Sequence, residues 1–211
     1  GILAGENHGT VEQVTVTGDV TGDEDVGALV GVNGSSGVVR SCTNRASVTG
    51  NTNSGGIAGR NEGMIQSCTN LGEVNTGGND AATNSGGIAG RNTGTVADCT
   101  NHAAVGYAHT GYNTGGIAGS MAIEYTLDPE DDVTGHLSNI YRKQYEYRSI
   151  IQKCVNTGDV SGKRSYVGGI VGYGEQSVLY DCETEANGYV LGSEYVGGII
   201  GALNQSDTQT A

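Results

Sequence analysis

Apolar residues recur along this chain in short runs set between Gly, Asn, Thr, Ser and Asp. The most regular run is Gly-Gly-Ile-Ala-Gly. Its last glycine falls at Gly5, Gly31, Gly59, Gly90, Gly119, Gly172 and Gly201, at intervals of 26, 28, 31, 29, 53 and 29 residues. Self-similarity at one such period is the signature of a stacked repeat. A second element follows each glycine motif. All five cysteines, Cys42, Cys68, Cys99, Cys154 and Cys182, occupy one register in it, with Val14 in the first repeat. Three residues earlier an aliphatic side chain recurs at Val11, Val39, Ile65, Val96, Ile151 and Leu179. Six residues later stands a third element, at Val20, Val48, Val74, Val105 and Val160, a role that Val190 takes after a shift of two.

Runs this short, rich in Val and Ile and bounded by turn residues, predict strands. The pattern predicts three short strands per coil of about 28 residues. The Cys, the Asn two on, the small residue four on and the Val six on share a parity and point to one face. Alternate positions hold Thr, Arg, Asp and Glu, as a solvated face does. Such a unit cannot bury its own apolar side, but stacked units can, each strand pairing with its equivalent in the next coil. The fold class is therefore all-β, a right-handed parallel β-helix (β-solenoid) of six to seven coils, since parallel crossovers are right-handed. Residues 1–211 read as a single solenoid domain, a rod of about 30–35 Å at the usual strand spacing. The motif glycines suit tight corners, where backbones approach closely and φ turns positive. The long fifth interval predicts a normal coil carrying an inserted loop or hairpin at about 121–149.

Composition fits a thin core along an elongated body. The chain has 38 glycines, one proline, no Trp and no Phe. Glycine does not recur every third residue, which excludes collagen. The net charge of −13, with ten Lys and Arg in all, disfavours nucleic acid and anionic membrane surfaces as partners. No apolar run approaches the roughly 20 residues needed to span a bilayer. No signal peptide is visible. The sequence begins and ends inside a repeat (Gly1–Gly5 and Gly198–Gly201), so a segment of a longer protein is expected.

The succession Gly-Gly-Ile-Ala-Gly, Cys-Thr-Asn and Gly-Glu/Asp-Val resembles the GLUG-type repeat of bacterial surface proteins. It covers nearly the whole chain outside the insertion. The resemblance implies a secreted or cell-wall-attached setting, as in adhesin-like proteins of Gram-positive gut anaerobes. Such repeats also occur in non-catalytic parts of IgA-protease-type metallopeptidases. No catalytic residue carries over.

Candidate chemistry is sparse. The five thiols lack the short Cys or His pairs of a metal site. Neighbouring coils bring their Cα atoms near disulfide range, but in-register side chains run parallel, so buried free thiols are expected. Asn44, Asn70, Asn101 and Asn156 follow the cysteines, and Asn7, Asn33, Asn61 and Asn92 follow the glycine motif. Both rows read as amide ladders along the axis. Asn204 stands outside that register. A carbohydrate-processing β-helix needs clustered carboxylates. Asp19, Glu73 and Asp159 share a register, but Ser47 and Ala104 separate them, and Lys153 separates Asp98 from Asp181. His8, His102, His109 and His136 occupy unrelated repeat positions. The run Asp128–Asp132 lacks the alternating oxygens of a calcium loop and reads as a turn capped by Asp128. No cofactor is implied.

The insertion is the departure from monotony. It carries Tyr125, Tyr141, Tyr145 and Tyr147 with Arg142, Lys143 and Arg148. Tyr125, Tyr141, Arg142, Tyr145, Tyr147 and Arg148 are the candidate binding residues, because exposed Tyr and Arg on a long loop suit protein or sugar contacts. The expected function is a non-enzymatic stalk or adhesive module that meets a host or cell-surface protein or glycan. Alternatives are an accessory domain of a larger surface enzyme and, third, a carbohydrate-processing β-helix. Unpaired strand edges at the rod ends also favour end-to-end self-association.

Overall fold

The computed structural model describes residues 1–77, 81–107, 111–122, 149–175, 177–185 and 188–204. Its strands all pair in parallel with the equivalent strand of the next coil, giving the right-handed β-solenoid expected. Coils are numbered here by the glycine motif they contain. The third coil is typical: strands Thr52–Gly55, Ala58–Asn61, Met64–Gln66 and Thr69–Asn70, then a bridge at Val74. Each of these five pieces belongs to its own sheet running along the rod. The sheet containing Ala58–Asn61 has seven strands, and three others have six.

The coil is thus divided more finely than its three apolar segments anticipate. The reason is local. Gln13, Ser41, Ser67, Asp98, Lys153 and Asp181, each just before the cysteine register, hold φ between 52° and 57°. One left-handed residue in an extended run turns the chain, so the aliphatic and cysteine segments lie in two sheets meeting at a corner. A further sheet, Thr52–Gly55 and its equivalents, is largely polar and has no apolar signature in the sequence.

That sheet also divides the expectation for the glycines: close backbone approach holds, positive φ does not. Among the described glycines only Gly18 and Gly106 have positive φ. The left-handed residue of the corner stands earlier, at Asp25, Asn53, Asn84, Asn113, Tyr166 and Tyr195. Asp and Asn tolerate this conformation, so the motif glycines are not needed for it. They answer to crowding instead. A Cβ on Gly86 would strike the Ala89 carbonyl and lie 2.7 Å from the Ala118 Cα of the next coil. A Cβ on Gly87 would strike the Gly116 carbonyl and the Asn101 carboxamide.

The core is a column, one layer thick. Leu29, Ile57, Ile88, Ile117 and Ile170 stack at the centre of the glycine motif, all fully buried. Opposite them stand Val39, Ile65, Val96 and Ile151, the cysteines, and Val48, Val74 and Val105. The valine register holds throughout, Val48 to Val74 to Val105 to Val160 by bridges and Val160 to Val190 by strand pairing. The shift of two in the sixth repeat is therefore real.

The insertion leaves the rod at one corner. Met121 pairs with Asn92, and Ile150 with Thr95. Ala122 donates to the Asn92 carbonyl as Thr93 does to Asn61, and Ile150 donates to Gly94 as Thr95 does to Gly63. Ala122 and Ser149 are therefore the two residues of an ordinary corner, parted by residues 123–148.

Candidate functional site

The asparagine rows form continuous ladders. Asn7 Nδ2 donates to Asn33 Oδ1 at 2.8 Å, Asn33 to Asn61 at 2.8 Å, and Asn61 to Asn92 at 2.7 Å. The second row runs from Asn44 to Asn70, Asn101 and Asn156, at 2.8, 2.7 and 2.8 Å. Each amide of this second row also closes on its own coil. Asn70 Nδ2 donates to the Gly72 carbonyl at 2.9 Å, and Asn70 Oδ1 accepts from the Gly72 N–H at 3.2 Å. Every hydrogen-bonding atom of such a carboxamide is used, which permits complete burial.

The first ladder ends at the insertion. Coil five places Met121 where the next amide belongs. Ser149 fills the gap, since its Oγ accepts from Asn92 Nδ2 at 3.0 Å and donates to the Asn92 carbonyl at 2.7 Å. This cap is not legible beforehand, because Ser149 is remote from Asn92 in sequence.

A third ladder escapes the apolar pattern altogether. Asn53 donates to Asp25, Asn84 to Asn53 and Asn113 to Asn84, at 2.8, 2.7 and 2.8 Å. Its signal was present as the recurring Asn two residues before the glycine pair. In coils six and seven the same position becomes Tyr166 and Tyr195, whose rings stack at 5.1 Å. Tyr173, on the adjoining sheet, meets Tyr166 edge-on at 5.1 Å. Beside them the Arg164 guanidinium lies 5.2 Å from the centre of the Tyr112 ring and donates to its hydroxyl at 2.9 Å.

All five cysteines are free, with four buried and Cys182 half-buried. Each thiol donates to the carbonyl two residues earlier, as Cys99 does to Ala97 at 3.1 Å and Cys154 to Gln152 at 3.2 Å. Burial pushes the Cys99 thiol well up, with the neighbouring thiols Cys154 and Cys68 adding to it. Burial likewise raises Cys42, whereas at Cys182 the hydrogen bond with Cys154 comes first and burial second. Cys42, Cys99 and Cys182 are therefore neutral thiols packed as small apolar groups. Hydrogen bonds from neighbouring thiols instead lower Cys68, through Cys99, and Cys154, through Cys182 and Cys99, to about 4 for Cys154.

The acids stay dispersed on the described surface. Asp19 accepts from the Ser47 hydroxyl, Glu73 from Thr76 at 2.7 Å, and Asp159 from the Tyr189 N–H at 3.1 Å. Asp98 meets Gln66 at 3.5 Å. His8 pairs with Glu6 at 2.8 Å, and His102 with Thr157 at 2.8 Å. Among the described residues no group of three His, Cys, Asp or Glu side chains is placed to hold a metal ion. Among them too, no helix is long and apolar enough to cross a membrane.

Tyr125, Tyr141, Arg142, Tyr145, Tyr147 and Arg148 lie outside the described residues, as do His109, His136 and the run Asp128–Asp132. The structure fixes only their root, between Ala122 and Ser149. Tyr173 stands directly over Ser120 in the ladder that leads into that root. The described aromatic face and the residues Ala122 and Ser149 that flank the insertion therefore lie on adjoining strands of coils five and six.

No protein-family model, no curated protein and no solved structure matches this chain.

Proposed function

We propose that this chain is a non-enzymatic segment of a secreted or cell-wall-attached surface protein, a stiff spacer that presents a binding surface at its fifth and sixth coils. The observation that carries the reading is the in-register stacking of satisfied amides and thiols. A column of that kind adds length by repetition, each coil depending on its neighbours alone. The GLUG-type resemblance favours the same setting. The change from amide to tyrosine along one ladder, beside the root of the long insertion, marks where the segment does more than extend.

Deletion of residues 123–148 gives a clean test. It leaves Ala122 and Ser149 as a two-residue corner of the length found at Glu62–Gly63. The intact and deleted chains would be compared for capture of extracellular matrix proteins and of an immobilised glycan panel. Binding by the intact chain that weakens on deletion is the expected result. An intact chain that binds nothing on either panel would remove the binding role and leave the spacer.

A further inference from the structure

We propose that Tyr166 and Tyr195 form a covalent modification site, at which peroxide-driven coupling of the two phenols staples coil six to coil seven. This goes beyond the reading of the chain as a surface segment and does not depend on it.

The stacking register builds the site. Tyr166 and Tyr195 stand opposite each other, between the strand pairs Ser165–Glu194 and Val167–Val196. Both turn left-handed, at φ 70° and 52°, so their side chains leave the backbone alike. The rings stack with centroids 5.1 Å apart and planes 15° from parallel. Equivalent atoms of the two phenols therefore lie one strand spacing apart, ~5 Å. Among the described tyrosines this is the one stacked pair. Tyr112, Tyr173 and Tyr180 pair in register with Thr83, Ala202 and Gln152. Tyr173 meets Tyr166 only edge-on, at 62°.

The scaffold does not ask for these rings. Coils three to five fill the same corner with Asn53, Asn84 and Asn113, joined by amide hydrogen bonds. Between coils six and seven the first amide row is missing as well, since Gly174 faces Leu203 there. Coil seven is thus joined to coil six without either ladder, where two phenols stack instead. A stack needs rings alone. The chain has eleven Tyr and no Phe, and the phenol adds the capacity for one-electron oxidation. Tyr195 is 60% exposed and Tyr166 half-buried, so an oxidant in solvent reaches the pair.

The reaction balances with one molecule of hydrogen peroxide, used by a haem peroxidase. Each phenol gives up one electron and one proton. The two phenoxyl radicals join through ring carbons ortho to oxygen, forming a C–C bond. The hydrogens on those carbons move to the oxygens and restore the phenols. The O–O bond of the peroxide breaks, and the two electrons and two protons leave as part of two waters. The bond forms as the Tyr195 ring turns about χ1 and χ2 toward Tyr166.

The test treats the dilute whole chain with hydrogen peroxide and a haem peroxidase. In parallel it uses photo-generated ruthenium(III), a small oxidant that needs no protein docking. Dityrosine fluorescence reads the coupling. Cleavage after glutamate maps it by mass, since Glu175 and Glu194 divide the two tyrosines. We expect one link within the chain, joining Tyr166 to Tyr195 with the loss of two hydrogens. Tyr166→Phe and Tyr195→Phe, which keep the stack, should each remove most of the fluorescence, while Tyr112→Phe and Tyr180→Phe leave it unchanged. The linked chain should also unfold at higher urea than the unlinked one, a gain that the Tyr166→Phe and Tyr195→Phe variants lack. No link with either oxidant overturns the proposal. So does fluorescence that survives both of those variants, or a link found chiefly between chains or at other tyrosines.

Discussion

Coils two to four and coils six and seven are built on one backbone and filled by two chemistries. In the first block three amide ladders run through the rod, at Asn33–Asn61–Asn92, Asn44–Asn70–Asn101 and Asp25–Asn53–Asn84. In the second the equivalent positions hold Gly174 and Leu203, Thr184, and Tyr166 and Tyr195. Amide ladders specify register strongly, because a slip strands buried donors. Stacked rings and apolar side chains tolerate more variation. One solenoid therefore combines a block held by its interior with a block whose surface is free to vary. The insertion sits at the junction, where Ser149 closes the first ladder.

The comparison can be broken most sharply at a central amide of the second ladder. Asn70→Leu removes the partner of Asn44 and leaves the Gly72 N–H without its acceptor, both in the buried interior. A loss of about 4 kcal/mol in urea unfolding is expected. In the second block Thr184→Val should be neutral or slightly stabilising, because Thr184 Oγ1 is buried and makes no hydrogen bond. Equal losses at the two sites would erase the distinction.

Ile88→Ala comes next. Ile88 is fully buried between Ile57 and Ile117, and about 3 kcal/mol should be lost to the cavity and the missing transfer energy.

The thiols give a smaller effect with a definite sign. The Cys99 pKa is raised in the folded state, so its contribution is fully present below the unfolded value near 9. It is lost as pH rises through that value toward the folded one. Stability should fall by about 1.4 kcal/mol per pH unit above roughly pH 9 for such a group. Cys99→Ala should flatten that slope in urea titrations from pH 7 to alkaline pH. A slope unchanged by the substitution would show that the thiol is not responsible.

The smallest change is expected from Tyr166→Asn, within about 1 kcal/mol of the parent protein. Asn occupies the same left-handed corner in coils three to five, and calorimetry of this variant measures how far the aromatic block depends on its rings. A loss comparable with that of Asn70→Leu would make the tyrosines structural and weaken the case for a binding face.

Much of this was legible in the chain. The cysteine, valine and two asparagine registers could be read by counting, because strict stacking converts sequence period into spatial contact. The third ladder was missed although Asn53, Asn84 and Asn113 recur as regularly, since a polar strand leaves no hydrophobic alternation. The glycine motif marks a corner, but crowding and not positive φ requires its glycines. Its glycines are dictated by the approach of the next coil and of Asn101, which no local rule for φ reveals.

By itself the sequence determined the repeat, its period, the parallel stacking and the identity of the stacked residues. All of these follow from side chains that must be buried at the same place in every coil. Tertiary structure alone decided how each coil is cut into short strands and bridges along five sheets, and which residues turn left-handed. It also decided that Ser149 ends an amide ladder, and that Tyr112, Arg164, Tyr166 and Tyr173 converge on one face. These depend on contacts between residues that no period relates, and distance in space, not spacing along the chain, is what brings them together.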